Sequence, residues 1–103
     1  MKATVYKFTL EQKPKVSIQM PRGAKILHIG MQGSAFHGGE AKLWALVSPD
    51  APNVERRFAL LSTGENAIDI EDADGNTSHV GSFFVFPDGS RVCHVFDLGE
   101  GEA

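Results

Sequence analysis

The sequence predicts an all-β protein of about seven antiparallel strands, arranged as a meander that forms a small open barrel or sandwich. Three observations support this class. Apolar and polar residues alternate over several short segments, as they do in half-buried strands. Glycine and proline residues separate these segments at short intervals. No segment sustains the 3.6-residue apolar period of an amphipathic helix.

The predicted strands contain, in chain order, residues 6–10, 16–20, 24–31, 42–48, 54–63, 78–87 and 91–98. The first two strands show strict apolar alternation, and a turn at residues 11–14 separates them. A proline and a glycine at 21–23 precede the third strand. This strand has apolar residues on both faces, which predicts a central position, and His28 lies on its less apolar face.

Stronger turn sequences bound the later strands. The glycine-rich segment 32–40 predicts a hairpin loop between the third and fourth strands, and residues 49–53 predict a turn before the fifth. Segment 64–76 is the least regular and the most acidic, and we expect a loop there. The Pro-Asp-Gly sequence at 87–89 predicts a hairpin between the last two strands.

Composition is that of an ordinary globular domain, with 42% hydrophobic and 22% charged residues. No apolar run is long enough for a membrane helix or a signal peptide, so we expect a cytoplasmic protein without a membrane partner. The single cysteine, Cys93, excludes an internal disulfide and a multi-cysteine metal site. We predict one β domain over residues 1–98 and a flexible acidic tail over 99–103. Exposed edges and aromatic residues predict a homo-oligomer.

Charge is divided unequally along the chain. Residues 1–62 contain nine Lys and Arg against four Asp and Glu, whereas residues 63–103 contain one Arg against nine Asp and Glu. One interpretation is functional, with a basic face for phosphate or an acidic partner and an acidic face for a basic partner. The other is structural, with distant strands paired so that opposite charges interleave across a sheet.

No motif predicts catalysis, a cofactor or a metal site. The glycines at 33–39 lack the Lys-Ser/Thr of a phosphate-binding P-loop, and the acidic segment lacks the ligand spacing of a calcium loop. Cys93 and His94 are adjacent on a strand and face opposite sides, so they form no nucleophile and base. The histidine spacings place no two rings on one face of a strand. A metal-dependent enzyme built on His79 or His94 is therefore the least favoured hypothesis.

The candidate binding residues have basic or aromatic side chains. Lys and Arg bind phosphate, and nucleobases stack on aromatic rings. They are Arg22, Lys25, Phe36, His37, Trp44, Arg56 and Arg57. Arg56 and Arg57 point to opposite faces of a strand, so only one of them reaches a given surface. The alternative contact is an acidic surface formed by Asp69, Glu71, Asp72 and Asp74.

The aromatic residues also have a structural interpretation, since alternate strand positions fill the core of a small barrel. Trp44 and the phenylalanines at 83, 84 and 86 fit this interpretation. Phe83 and Phe84 cannot share a face, however. At least one of these two rings is expected in a second core, in an oligomer interface or under a ligand.

Four segments carry a resemblance: Val-Tyr-Lys-Phe-x-Leu at 5–10, Met-Pro-Arg-Gly-Ala-Lys-Ile-Leu at 20–27, Leu-Trp-Ala-Leu-Val at 43–47 and Val-Cys-His-Val-Phe at 92–96. With these segments the chain resembles a family of small uncharacterised proteins from tailed phages and prophages. The resemblance spans most of the chain and brings no catalytic residues. The sequence departs from that family in its acidic segment and its C-terminal tail.

The resemblance implies, by analogy with other small phage proteins, a non-catalytic accessory protein that acts by binding. We expect a counter-defence protein in the host cytosol, during infection or in a lysogen, that blocks a host immune effector or sequesters its nucleotide signal. The expected partner is a host protein or a small anionic nucleotide, with no cofactor and no direct DNA binding. The alternative is a minor virion or assembly protein.

Overall fold

The computed structural model describes residues 2–33, 40–64, 78–85 and 91–101. Its strands are β1 (Thr4–Thr9), β2 (Lys15–Pro21), β3 (Lys25–Gln32), β4 (Glu40–Val47), β5 (Asn53–Ser62), β6 (Ser78–Val85) and β7 (Arg91–Glu100). They form two antiparallel sheets, with the orders β1-β4-β3 and β2-β5-β7-β6. The predicted all-β class with seven antiparallel strands is confirmed. No helix capable of crossing a membrane occurs in these residues.

The strand order is less local than in a simple meander. Among the described strands, only β3–β4 and β6–β7 pair with their neighbour in sequence. The remaining pairs are β1–β4, β2–β5 and β5–β7. The two hairpins agree with the turns predicted at 32–40 and 87–89, although residues 34–39 and 86–90 lie outside the described part. Alternation determines which face of a strand is apolar and does not specify its partner.

Both sheets turn their apolar faces toward one core. On β4, Leu43 and Ala45 are fully buried, whereas Trp44 lies on the opposite face. The largest fully buried side chains come from both sheets and from the β1–β2 connection: Phe58, Leu10, Met20, Leu43, Val47, Val54 and Val95. Burial of each large side chain contributes about 1.5–3 kcal/mol. This shared core therefore holds the two sheets together.

The two sheets meet where β3 lies beside β6. A Cβ placed on Gly81 would lie 2.9 Å from the Cβ of Ile29, so the close approach depends on glycine. Both strands also shift register near this junction, between Ile26 and His28 in β3 and between His79 and Gly81 in β6. Such bulges increase the local twist of a strand. β1 and β2 form the remaining edges of the two sheets. β4 is therefore the central strand of its sheet, and the central position predicted for β3 is wrong.

The last strand extends beyond the boundary predicted at residue 98. β7 continues through Glu100, and the Gly101 N–H donates to the carbonyl of Glu55 over 2.7 Å. Residues 99–101 are therefore attached to the sheet, because their backbone groups find partners there. Residues 102–103 lie outside the described part.

The aromatic and thiol side chains of the last hairpin divide between its two faces. Phe83 and Cys93 are buried in the core, opposite each other on β6 and β7. His94 points to the opposite, outer face, where its ring nitrogens meet the side chains of Thr63 and Ser82. The side chain of Phe84 lies outside the description. The prediction that Phe84 contacts a second core or a partner therefore stays a prediction.

Candidate functional site

The outer face of the three-stranded sheet carries a row of large side chains that crosses all three strands. Lys7 of β1 lies opposite Trp44 of β4, and Trp44 lies opposite His28 of β3. These positions alternate with the buried Leu43 and Ala45, so their side chains point away from the core. All three strands come from the basic part of the chain.

Trp44 and His28 form an aromatic pair on this face. Their ring centroids lie 5.4 Å apart, with 39° between the ring planes. The register shift at Leu27 turns His28 outward while Ile29 faces the core. Gly30 makes room for the histidine, because a Cβ at this position would lie 3.0 Å from His28 Nε2. The pair therefore presents a partly exposed aromatic surface.

Two lysine ammonium groups lie at one end of this face. Lys42 Nζ donates to Thr9 Oγ1 and to Glu40 Oε2, each over 2.8 Å. The hydrogen bond from Lys42, followed by the charges of Lys42 and Lys7, lowers the pKa of Glu40. Lys7 Nζ donates to Gln32 Oε1 over 2.9 Å. Two cations therefore act on one carboxylate, and this end of the face remains positively charged.

The other end of the face is apolar and exposed. Val5, Leu27 and Leu46 are 51%, 48% and 38% exposed, and Lys25 lies directly opposite Leu46. Exposed large apolar side chains that gather in one place are typical of a binding surface. The face thus combines an apolar region, an aromatic pair and lysines, which suits a ligand with a flat ring and an anionic group.

The structure places two of the predicted binding residues, Lys25 and Trp44, on this face. Arg22 lies instead at the turn between β2 and β3, where its N–H donates to the Pro52 carbonyl over 2.8 Å. Other predicted residues lie outside the described part of the chain: Phe36, His37, Asp69, Glu71, Asp72 and Asp74. The predicted acidic surface and the predicted roles of Phe36 and His37 therefore stay predictions.

Sequence reasoning missed Lys7, Lys42 and His28 as members of this site. Each occupies the outward position of an alternating strand, and that signal was available. Alternation alone did not show that β1 and β3 flank β4 on opposite sides. The pairing is what brings Lys7 and His28 to either side of Trp44.

Arg56 takes part in an internal ion pair. Its Nε and Nη2 donate to the two carboxylate oxygens of Asp97 over 3.0 and 2.7 Å, and its Nη1 donates to the Ala24 carbonyl over 2.8 Å. The side chains of Arg56 and Asp97 are only 12% and 10% exposed. The hydrogen bond to Asp97 raises the pKa of Arg56 against the opposing effect of burial. Because three of its donors are engaged in these internal hydrogen bonds and its side chain is largely buried, Arg56 is not a suitable phosphate ligand.

The contacts around Arg56 show the interleaving of opposite charges that the structural interpretation of the charge distribution predicts. Glu100 Oε2 accepts a hydrogen bond from the Gly23 N–H over 2.7 Å and lies 3.9 Å from Arg56 Nη1. The base comes from the basic part of the chain and the acids from the acidic part. Arg57 alternates with Arg56 along β5, and its buried Nε has no hydrogen-bond partner among the described residues.

A second polar cluster lies on the outer face of the four-stranded sheet. His94 Nδ1 lies 2.9 Å from Ser82 Oγ, and His79 Nε2 lies 3.1 Å from the same oxygen. The other ring nitrogen of His94 lies 2.7 Å from Thr63 Oγ1. Sequence spacing did not predict this cluster, because the pairing of β6 with β7 assembles it. Within the described residues, no group of three or more His, Cys, Asp or Glu is placed to hold a metal ion.

Together, the architecture and the face around Trp44 define a two-sheet β protein with an aromatic and basic sheet surface. The chain belongs to the family described as Domain of unknown function (DUF7352), which matches residues 1–103. Searches of curated proteins and of solved structures found no match. This match confirms the predicted resemblance to a family of uncharacterised proteins. An origin in phages stays a prediction.

Proposed function

We propose that this protein acts by binding a nucleotide, or a related phosphate-bearing aromatic ligand, on the outer face of its three-stranded sheet. The observation that carries the proposal is the Trp44–His28 pair, with the ammonium groups of Lys7 and Lys42 at one end of the same face. Stacking of a base on an aromatic side chain contributes about 1–3 kcal/mol. Lysine ammonium groups bind phosphate as point charges.

The open geometry favours binding over catalysis. The described part of this site is the outer surface of a sheet, and His28 and Lys7 are both exposed on it. A ligand held there stays in contact with water, whereas most catalytic sites exclude water to strengthen electrostatic interactions. The proposal therefore assigns stacking and charge neutralisation to this face, and no bond-breaking step.

The charge favours a small ligand over a nucleic acid duplex. Lys7, Lys25 and Lys42 share this face with the carboxylate of Glu40, and the whole chain has a net charge of −3. Proteins that bind duplex DNA through its backbone usually neutralise many phosphates at once. A ligand with one or a few phosphates matches the number of lysines better.

For the biological role, we propose sequestration of a nucleotide signal. In the phage setting that the sequence resemblance implies, such a binder would be a counter-defence protein that withholds the signal from a host immune effector. Sequestration needs one binding face per molecule and no catalytic group, in keeping with the features of the Trp44 face. If the same face instead blocks the effector directly, the protein should be recovered in complex with a host protein and without a bound nucleotide.

The test uses Trp44 itself, because it is the only tryptophan in the chain. Its fluorescence is followed during titration with adenine and guanine mononucleotides, cyclic dinucleotides and inorganic phosphate. We expect saturable quenching by one nucleotide class and none by phosphate alone. Calorimetry should show about tenfold weaker binding for Lys7→Ala and Lys42→Ala, which corresponds to about 1.4 kcal/mol.

Lys13→Ala is the matched control for these lysine variants. Lys13 is an exposed lysine that pairs with Glu11 over 3.0 Å in the β1–β2 connection. This variant should bind as tightly as the unaltered protein. Absence of saturable binding, or an equal loss in Lys13→Ala and Lys42→Ala, would contradict the proposed site.

The edge strand β1 favours a second candidate, a minor virion or assembly protein. β1 lies at one edge of its sheet and exposes Val5 and Tyr6 on its two faces. Edge strands with exposed apolar side chains pair readily with other chains. This candidate predicts the protein at stoichiometric levels in purified particles and a loss of self-association in Val5→Lys. A protein confined to the infected cytosol would exclude it.

A further inference from the structure

We infer that His79, Ser82 and His94 form a separate binding site for a divalent transition-metal ion of the Zn²⁺, Ni²⁺ and Cu²⁺ class. The site lies on the outer face of the four-stranded sheet and does not depend on the nucleotide-binding proposal. Imidazole nitrogen is a preferred ligand for this class of ions. The inference rests on how three side chains from two strands converge.

Both histidine rings direct a nitrogen toward one position. His79 Nε2 and His94 Nδ1 lie 3.1 and 2.9 Å from Ser82 Oγ, and the ring centroids are 6.1 Å apart. A zinc–nitrogen bond is about 2.0–2.1 Å long. An ion close to the hydroxyl position therefore comes within bonding distance of both rings after small side-chain rotations. Ser82 Oγ either joins the coordination sphere or turns aside.

The backbone explains why these side chains share a face. Ser82 lies directly opposite His94 in the pairing of β6 with β7. The register shift between His79 and Gly81 places His79 on the same side as Ser82, despite the odd spacing between them. The ring of His79 also packs edge-on against Phe96, with centroids 5.5 Å apart. The sheet thus positions the two rings before any ion arrives.

Thr63 orients the ring of His94. Its Oγ1 lies 2.7 Å from His94 Nε2, and when that nitrogen donates its proton to Thr63, Nδ1 keeps a lone pair directed at Ser82. Metal-binding histidines commonly donate their other N–H to an acceptor in this way, which fixes the tautomer. Thr63 is therefore a positioning residue for the metal ligand.

Two converging nitrogens favour a cation over a serine nucleophile. A nucleophilic serine needs one base to remove its proton, whereas here a second imidazole nitrogen faces the same oxygen. His79 and Ser82 are exposed, so water molecules complete the coordination of a bound ion. A site with two histidines and water is a ligand set that Zn²⁺, Ni²⁺ and Cu²⁺ accept.

The test is calorimetric titration of the full chain with ZnCl₂ and with NiCl₂ in a weakly coordinating buffer near neutral pH. We expect one ion per chain, and binding that weakens at acidic pH because the imidazoles must be neutral. His79→Ala and His94→Ala should each weaken binding by at least about tenfold, and Thr63→Val by about tenfold. Imidazole ¹⁵N shifts should change at His79 and His94 when Zn²⁺ is added.

His28→Ala is the matched control, because His28 is an exposed histidine on the other sheet. It should bind Zn²⁺ as tightly as the unaltered protein. If His94→Ala fails to fold, the exposed His79→Ala and the ¹⁵N shifts still decide. Absence of binding, or equal binding by His79→Ala and His28→Ala, overturns the inference.

Discussion

Gly81 of β6 and Ile29 of β3 meet where the two sheets join, with 2.9 Å between a Cβ built on the glycine and the Cβ of the isoleucine. Ile29 is 4% exposed and belongs to the main core. Because protein interiors are close-packed, the joint has no space for another methyl group. The position of the face around Trp44 relative to the cluster around Ser82 therefore depends on residue 81 being a glycine.

Gly81→Ala should destabilise the protein by about 1–3 kcal/mol, because the new methyl group forces β3 and β6 apart. Urea denaturation monitored by circular dichroism measures the loss. Gly30→Ala is the control, since its Cβ would meet only the end of the His28 ring, at 3.0 Å. It should cost less than about 1 kcal/mol and alter Trp44 fluorescence as the ring moves. Equal losses in the two variants would contradict the proposed joint.

Arg56→Met should lower the free energy of unfolding by about 3–5 kcal/mol, because it leaves the Asp97 carboxylate buried without its partner. Arg57→Met is the matched control on the same strand and should cost much less, since the buried Nε of Arg57 makes no hydrogen bond within the described structure. A double variant with Asp97→Leu should recover part of the loss. Chemical denaturation of the four proteins measures these differences, and a greater loss in Arg57→Met would refute the assignment.

Lys42→Met should raise the pKa of Glu40 toward its ordinary value of 4.5, because the hydrogen bond from Lys42 is the main cause of the lowering. Carboxyl ¹³C shifts of Glu40 followed against pH measure the change. Since the pKa is lowered in the folded state, the stabilising contact is present above the unfolded pKa and is lost as pH falls through the folded value. In Lys13→Met the pKa of Glu40 should stay unchanged, and an equal rise there would show a nonspecific effect.

The thiol of Cys93 should react slowly with Ellman's reagent in the native protein and quickly in urea, because it is 7% exposed in the core. The native rate should follow local opening of the sheet and increase in Gly81→Ala, which loosens the neighbouring strand. Absorbance of the released thiolate measures both rates. Immediate reaction of the native protein would show that the core around Cys93 is open.

Alternation in the sequence was sufficient to locate the strands, but it did not give the faces of every strand. In β5 the consecutive residues Phe58, Ala59 and Leu60 are all buried, and Ala59 packs with Leu98 in a second, smaller cluster. Lys25 and Trp44, two candidate binding residues, lie on an outer face within the described structure, whereas the core interpretation of Trp44 is wrong. Alternation did not place Arg56, whose partner Asp97 lies 41 residues away on β7. An arginine looks the same in sequence whether it meets a phosphate or an internal carboxylate. Strand pairing decides between the two, and a single sequence does not encode that pairing in any local pattern.

The order of the strands also has a consequence for synthesis on the ribosome. The three-stranded sheet is complete in sequence at Val47, so it can assemble before β5 has left the ribosome. β2 leaves the ribosome before β3, yet its partner β5 ends only at Ser62. During that interval β2 is an unpaired strand, open to pairing with other nascent chains. Lys15 at its start and Pro21 at its end are residues that discourage such pairing. They therefore protect β2 until β5 is available to pair with it.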